Sequence, residues 1–374
     1  MASTGAAGQC TVHTNPHDTL TTSSGFSSLD QDETDKVRTY LRDLSTPWLS
    51  RRADETPREF PLSVASWCEL RIDPFVESFR EQYKIKIAYD ASRSVLAVFP
   101  MPGRIHNALQ QWLYDIATRH RATFSDGVRS ECVVEFNSID FTSIDEYTTS
   151  EKEPDLSIGW KADDQDGVPF KTHTVVEIGV SQTDQSLCEV RDLYLMGTQN
   201  IQRVILVRVE ETPKFSSAKL KDIDIQRWEN KPNAYTTTSD IGPVYCQNVQ
   251  CVGALKIVWE VWERSPITKQ VVKVFSKQII PIPKNRQFEL PLFEIPTQMP
   301  TGIVSATIKD TDIQDLASNY LELAVRRQAS DRIKRFQADE IKAGQKKLEL
   351  STQKDEAQKK RDMANSERIE RSKK

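Results

Sequence analysis

The stretch that decides the fold is residues 153–181, EPDLSIGWKADDQDGVPFKTHTVVEIGVS. Its first part, Asp155–Trp160, alternates polar and apolar residues and predicts a strand with one buried face. A polar loop follows, and Thr174–Val180 is then apolar almost throughout, as in a central strand covered on both faces. Because side chains on neighbouring strands lie across from one another, the segment predicts a sheet that presents Asp155 and Glu177 together.

The segments on either side predict the rest of an α/β (α+β) domain. Helical spacing of apolar residues marks Ile105–Thr118 and Ser186–Met196, and short apolar runs mark strands at Cys132–Phe136 and Val204–Val209. The order is helix, three strands, helix, strand, and its last strand–helix–strand step is a parallel crossover. We expect the strands to form one mixed sheet with both helices packed on it.

Five segments are predicted along the chain. They are a disordered tail (1–32), a helical segment (33–82), the sheet core (83–211), a β-rich extension (212–305) and a long charged helix (306–374). Residues 50–65 have the charge and proline content of a linker, and a hairpin of Lys84–Tyr89 and Val95–Phe99 opens the core. Alternating runs such as Val252–Trp262 predict an antiparallel meander whose last, proline-containing strands lie at sheet edges.

Composition suits a globular protein with no membrane span or secretion signal. The chain has 374 residues, of which 38% are hydrophobic and 28% charged, and its formal net charge is −4. No apolar run approaches the roughly 20 residues that a membrane helix needs, and the N-terminus lacks the basic and apolar regions of a signal peptide. Six cysteines without disulfide or zinc spacing fit a reducing compartment. We therefore expect an intracellular protein without membrane contact.

The C-terminal segment is more basic than the rest of the chain. From Asp331 to Lys374 there are 14 Lys and Arg residues against 9 Asp and Glu residues, so a local charge of +5 leaves −9 for the remainder. A basic tail suits nucleic-acid contact or nuclear import, and equally a solvated helix that does neither. Because its apolar positions thin out beyond Ile341, we expect the first half to dock and the second to project, where it offers a surface for a protein partner or for self-association.

Asp155 and Glu177 carry the candidate chemistry. Pro154 and Asp155 open one strand, and Glu177 lies 22 residues further on in the next. Hard cations such as Mg²⁺ or Mn²⁺ take oxygen ligands, and one or two carboxylates plus substrate phosphate are a usual set. Such an ion lowers the pKa of a bound water and neutralises charge on a phosphate. Taken alone, Asp155 also fits a turn, whereas a glutamate inside an apolar strand is costly unless it is paired or metal-bound.

This combination resembles the PD-(D/E)XK restriction-endonuclease-like superfamily. The matching residues are Pro154–Asp155 and, after the spacer, Glu177-Ile-Gly-Val-Ser181, in the element order given above. The likeness is greatest to the Uma-type endonucleases, whose hairpin, proline-rich turn and histidine-led helix correspond to Val98–His106, and to fungal proteins with a Glu-x-Gly-x-Ser strand. It covers about Tyr83–Glu210. The resemblance implies a restriction-endonuclease-like fold, Mg²⁺ or Mn²⁺ held by the two carboxylates, and hydrolysis of phosphodiester bonds in DNA or RNA.

One position departs from the family pattern. The superfamily's lysine stands two residues after the glutamate, where this chain has Gly179, which can neither orient a water nor stabilise charge. By the Uma-type resemblance, the basic residue is expected at Arg191 on the following helix. Arginine can clamp a phosphate but cannot act as a general base, and a plain salt bridge of Arg191 with Asp192 or Glu177 is the alternative interpretation.

Three further residues are expected to support this site. Ser181 and Gln182 are candidates for holding the metal-bound water, and His106 either joins the site or only caps its helix. Two functions remain open. The pair of acidic residues favours a metal-dependent nuclease, whereas the missing lysine and the acidic body favour a catalytically inactive nuclease-fold module that binds or scaffolds through its C-terminal helix. A metal hydrolase with another substrate is a third alternative.

Overall fold

The structure is a computed structural model that describes residues 28–45, 57–83, 85–99, 103–136, 139–141, 144–161, 170–180, 182–231, 234–238, 241–282, 289–296 and 303–372. The elements of its first part are α1 (Ser28–Ser45), β1 (Arg58–Pro61), α2 (Val64–Arg71), α3 (Pro74–Tyr83), β2 (Lys86–Asp90), β3 (Val95–Phe99), α4 (Arg104–Ala122), α5 (Asp126–Glu131), β4 (Cys132–Glu135), β5 (Ile139–Asp140), β6 (Glu151–Lys152), β7 (Leu156–Trp160), β8 (Lys171–Val180), α6 (Asp184–Gly197) and β9 (Arg203–Thr212). The second part contains α7 (Ile225–Asn230), β10 (Tyr235–Thr237), β11 (Val244–Cys246), β12 (Val249–Val252), β13 (Ala254–Arg264), β14 (Val271–Ile280), β15 (Glu289–Pro296), β16 (Ile303–Lys309), α8 (Asp310–Asp315) and α9 (Glu322–Ser372).

Six strands form the central mixed sheet, in the order β14-β13-β9-β8-β7-β4. β8 and β9 run parallel and are joined by α6, whereas the other neighbouring strands are antiparallel. The mixed α+β fold is therefore confirmed. All the strands predicted between Cys132 and Val209 lie in this one sheet, and the predicted meander extends it through β13 and β14.

Alternation of residues along β8 separates the two faces of the central sheet. Val176 belongs to the core that contains Trp112 of α4. Its neighbour Val175 belongs to a different core, which contains Tyr194 of α6. Because residues two apart in a strand share a face, Glu177 lies on the side of α6.

A second sheet has the order β1-β3-β2-β6-β5. Its hairpin, β2–β3, was predicted from alternating residues, and Ile87 and Tyr89 pack on one face against the N-terminal helices. Lys86 and Ala88 alternate with them and so lie on the other face. This smaller sheet therefore turns its apolar side to α1–α3 and its other side toward the central sheet and α6.

Several predicted boundaries were wrong. Of the predicted linker at residues 50–65, Arg58–Pro61 forms β1, which pairs with the edge of β3, and Val64 begins α2, whose first turn is capped by the Ser63 hydroxyl. Ile303–Lys309, assigned mostly to the C-terminal helix, is instead β16, paired with β15 in a separate hairpin. Alternating branched residues favour a strand there. Of the predicted disordered tail, residues 1–27 lie outside the described part, and α1 already begins at Ser28.

The C-terminal helix is buried only along its first half. Buried side chains continue to Ala338, and every side chain from Asp339 to Met363 is exposed. Arg332 anchors the docked part, since its guanidinium donates to both carboxylate oxygens of Glu211 at 2.7 and 2.8 Å and lies 4.1 Å from the Phe215 ring centroid. Within the described ranges, no helix is both long and apolar enough to cross a membrane.

The docked and exposed halves of α9 are expected to differ in their contribution to stability. Removing residues 351–374 should leave Tm nearly unchanged, because the described side chains of this stretch, up to Met363, are exposed. Arg332→Met should lower the free energy of unfolding by about 3 kcal/mol, since Glu211 loses its cationic partner and keeps only the Gly253 backbone N–H as a donor. Arg326→Met is the control, because its ion pair with Glu322 is exposed and is worth less than about 1 kcal/mol. Thermal and urea unfolding measure these changes in stability. A fall in Tm of several degrees on truncation would contradict the prediction that residues 351–374 contribute little.

Candidate active site

Asp155 and Glu177 lie across from one another at the end of the β7–β8 ladder, one residue beyond the Leu156–Val176 pair. The Asp155 backbone N–H donates to the Val176 carbonyl at 3.1 Å, and its Oδ2 accepts from the Ile178 backbone N–H at 2.7 Å. The two side chains are only 4% and 9% exposed. The structure therefore brings the two predicted acids together in the interior.

The positive charges of the site come from the smaller sheet. Lys86 of β2 places its Nζ 2.7 Å from Asp155 Oδ1, and Lys152 of β6 places its Nζ 3.2 Å from both carboxylate oxygens of Glu177. The two lysine side chains are 16% and 3% exposed. A buried charge is costly unless it is paired, so each acid–lysine pair holds the two sheets together.

The helices on either face of the central sheet supply further polar contacts. His106 of α4 places Nε2 3.0 Å from Asp155 Oδ2, and Gln110, one turn later, donates to the Asp155 carbonyl at 2.9 Å. From α6, the Tyr194 hydroxyl donates to Glu177 Oε1 at 2.8 Å. Every carboxylate oxygen of the pair thus has a protein partner, whereas the buried Nδ1 of His106 has none among the described residues.

Burial and neighbouring charges shift the two carboxyl groups in opposite directions. Burial opposes ionisation of Asp155, but the charges of His106 and Lys86 outweigh it and hold the pKa of Asp155 below its usual 3.8. Burial raises the pKa of Glu177, and the Asp155 anion adds to this effect. Burial and the Glu177 charge also raise the pKa of Tyr194 well above its usual value. The site therefore combines a firmly ionised carboxylate with one that takes up a proton more readily.

The remaining predicted site residues have different outcomes. His106 joins the site and does not cap its helix, whose N-cap is Gly103. Arg191 does not contact either acid: its guanidinium donates to both Asp192 oxygens at 2.7 and 2.9 Å and stacks 4.0 Å from the Trp262 ring centroid. The salt-bridge alternative is thus the one seen, because these partners satisfy the guanidinium. Gln182 is half-buried, and Ser181 lies outside the described residues.

Gly179 packs closely against α6. A Cβ at this position would lie 2.5 Å from Leu187 Cδ1 of α6. Residues 177 and 179 share a strand face, so any side chain at 179 would extend beside Glu177 and against that leucine. A lysine at this position would therefore require the Leu187 side chain to move.

Sequence reasoning missed Lys86, Lys152 and Tyr194. Lys86 lies in the alternating stretch Lys84–Tyr89 and Tyr194 in the helix predicted over Ser186–Met196, and neither pattern marks a site residue. Lys152 stands three residues before Asp155, and this proximity to the motif was the one local signal. Their convergence depends on how the smaller sheet and α6 pack against the central sheet, which no local pattern specifies.

A narrow cleft between the β2–β3 hairpin and α6 reaches the site. Its lining combines small and apolar side chains, among them Ala88, Val95, Ala97, Phe99, Val190 and Leu193, with the charged side chains of Glu59, Asp90, Arg93, Lys152 and Glu189. Buried Lys152 has its Nζ 4.7 Å from the Phe99 ring centroid. Arg93 donates to Glu189 at 2.7 Å and bridges the hairpin to α6. The cleft therefore borders the site at Lys152.

Comparison with protein-family models, curated proteins and solved structures finds no match to this chain. The interpretation therefore rests on the element order and the geometry of the site. In the part of the chain that the structure describes, no group of three or more His, Cys, Asp and Glu side chains is arranged to hold a metal ion. A Mg²⁺ site here would use the two carboxylates, with its other ligands from water and substrate, as is usual for this ion.

Asp155→Asn is expected to lower the free energy of unfolding at neutral pH by about 3–5 kcal/mol, because buried Lys86 loses its counter-charge. The folded-state pKa of Asp155 lies below the usual 3.8, so the carboxylate stabilises the fold above that pH and this contribution is lost as the pH falls. The difference between native protein and variant should therefore narrow below about pH 4. Urea unfolding over a pH series measures this difference in the free energy of unfolding, and Asp126→Asn, at an exposed position, is the control. A difference that stays constant down to the acid limit would contradict the ion pairing.

Proposed function

We propose that this protein is a metal-dependent nuclease of the PD-(D/E)XK type, which hydrolyses phosphodiester bonds in nucleic acid with Mg²⁺ or Mn²⁺ at Asp155 and Glu177. The observation that supports it is one buried charge cluster in which these acids, on neighbouring strands, are joined by Lys86 and Lys152. The element order α4, β4, β7, β8, α6, β9 is also the one that the resemblance implies. Five free cysteines in the described part suit a reducing, intracellular compartment.

The donor set suits a hard divalent cation. Two carboxylates are a usual number of protein ligands for Mg²⁺. The ammonium groups of Lys86 and Lys152 lie against the carboxylate oxygens, which marks the same place as favourable for positive charge. A bound ion would stabilise negative charge on a phosphate and lower the pKa of a bound water.

The surrounding residues have distinct roles in this proposal. Asp155 is held in one orientation by the Ile178 backbone N–H and by His106, and its low pKa keeps it anionic at neutral pH. Tyr194 orients Glu177 from the other face of the sheet. Ligands that are held by second contacts keep their geometry when a cation binds, so these contacts preorganise the pair.

A second function is favoured by a specific observation. Both acids are almost fully buried and each of their carboxylate oxygens already has a protein partner. A closed cluster of this kind also serves purely to join two sheets. In that case the protein is a binding or scaffolding module, and the exposed part of α9 is its surface for a partner or for self-association.

Glu177→Gln is expected to abolish cleavage of nucleic acid in Mg²⁺ or Mn²⁺. Losing a metal-ligand charge should reduce the rate by more than about 100-fold, since even residues that only orient a ligand cost 10–100-fold. Glu153→Gln is the matched control, because this more exposed acid lies 4.0 Å from Lys86 without contacting Glu177 in the described structure. Circular dichroism at the assay temperature checks the fold of each variant, since Glu177→Gln leaves Lys152 without its counter-ion.

Single- and double-stranded DNA and RNA are the substrates to compare. If folded native protein turns over none of them with either metal, the nuclease proposal is wrong and the binding module is favoured. Light scattering and partner binding with and without residues 351–374 then test the role of the exposed helix.

A further inference from the structure

We infer that Gln328 of the C-terminal helix α9 is a positioning residue of the metal site: it caps the first turn of α4 and so holds His106 against Asp155. The inference rests on the proposed function, because Asp155 is one of the two metal ligands proposed above. It adds a residue from outside Tyr83–Glu210, the part of the chain that resembles the nuclease family. It follows from how α4 begins, from how α9 is anchored and from where His106 lies.

The helix α4 begins at a residue that cannot cap it with a side chain. A helix leaves its first N–H groups without a partner within the helix, and a side-chain oxygen of the N-cap residue usually accepts from one of them. The N-cap of α4 is Gly103, which has no side chain. The Oε1 atom of Gln328 accepts from the Arg104 backbone N–H at 2.9 Å instead. Gln328 therefore supplies the cap from another helix, 224 residues further along the chain.

The docked half of α9 holds Gln328 in place. Gln328 is only 4% exposed, and Ala329 and Ile333 on the same helix are fully buried. Arg332 lies one turn after Gln328, on the same face of the helix, and its guanidinium donates to both carboxylate oxygens of Glu211. Because Glu211 belongs to β9, the capping oxygen is fixed relative to the central sheet.

His106 is the third residue of the capped helix and reaches Asp155 from its first turn. The Nε2 atom of His106 lies 3.0 Å from Asp155 Oδ2. Gln110, one turn later, donates to the Asp155 carbonyl at 2.9 Å, from a part of α4 in which Leu109 and Leu113 are fully buried. Fraying of the first turn would therefore displace His106 while Gln110 stays in place. Losing a contact that orients a metal ligand typically costs about 10–100-fold in metal affinity or activity.

Asp331 offers a matched comparison. Its Oδ2 accepts from the Arg104 guanidinium at 2.7 Å, so it contacts the same residue of α4 as Gln328 does. The side chains of this ion pair are 50% and 34% exposed, and exposed pairs of this kind contribute little to stability. Asp331→Asn therefore weakens a contact between α9 and α4 and leaves the cap on the Arg104 backbone N–H intact.

Calorimetric titration of Mn²⁺ into native protein, Gln328→Met, Gln328→Glu and Asp331→Asn tests the inference, with circular dichroism as a check of folding. Methionine has nearly the length of glutamine but no accepting oxygen, so Gln328→Met should bind Mn²⁺ about ten-fold more weakly than native protein. Gln328→Glu keeps an accepting oxygen, and a negative charge is favourable at a helix N-terminus, so its affinity should lie within about three-fold of the native value. Asp331→Asn should bind Mn²⁺ as native protein does.

The effect of Gln328 should be transmitted by His106. His106→Ala is expected to weaken Mn²⁺ binding by about ten-fold. Adding Gln328→Met to this variant should weaken binding no further, because residues that act through one contact are not additive. A general structural effect of Gln328→Met would instead add to that of His106→Ala. Hydrogen exchange without metal gives a second measure: the amides in the first turn of α4 should exchange faster in Gln328→Met than in native protein or Asp331→Asn.

The outcomes separate this inference from the proposed function. If native protein binds Mn²⁺ and cleaves nucleic acid, but Gln328→Met binds Mn²⁺ equally tightly or still weakens binding in the His106→Ala background, only the positioning role is overturned. Unchanged hydrogen exchange in the first turn of α4 overturns it as well. An equal loss of affinity in Asp331→Asn assigns the effect to the Arg104 ion pair and has the same consequence. If folded native protein binds no Mn²⁺ at all, the positioning role and the nuclease proposal are both wrong. Should Gln328→Met not fold, Gln328→Leu, which also lacks the accepting oxygen, takes its place with the same criteria.

Discussion

The structure depends on the ion pairs that join Asp155 and Glu177 of the central sheet to Lys86 and Lys152 of the smaller sheet. None of these charges is stable in the interior alone, and each becomes so only when the two sheets are in place. The same cluster takes contacts from both faces of the central sheet, through His106 and α6. The relative position of two sheets and two helices is therefore set by one small group of charges, with the apolar cores on either side providing most of the burial.

This constraint has two consequences for function. A buried cluster of paired charges holds the two sheets together. It also holds carboxylate oxygens in fixed positions where a cation could bind. A purely structural ion-pair cluster and a metal site differ in whether a metal ion can displace a lysine ammonium from its carboxylate. The two lysines differ in their surroundings: Lys152 borders the cleft, whereas Lys86 also lies near the Pro154 carbonyl and Glu153.

Packing also explains the departures from the expected motif. Leu187 fills the space beside Gly179, so a lysine two residues after Glu177 would require this leucine to move. Arg191 is drawn to Trp262 and Asp192, which satisfy both its ring-stacking and its hydrogen-bonding capacity. Positive charge reaches the acids from the other sheet instead. A motif within one strand cannot reveal that lysines of another sheet supply this positive charge, because those lysines are close to the acids in space and not in the strand's sequence.

Local patterning was sufficient for the central sheet, the helices on its two faces and the pairing of Asp155 with Glu177, because the period of apolar residues and the position of a buried acid are properties of short segments. It failed at Arg58–Arg71 and at Ile303–Lys309, where pairing with a distant strand or a cap outweighed the local composition. The lysines, Tyr194 and the exclusion of Arg191 were decided only by the tertiary structure. The physical reason is that a charge or hydrogen-bond partner is chosen by distance in space and by burial, and both are set by contacts between segments far apart in the chain.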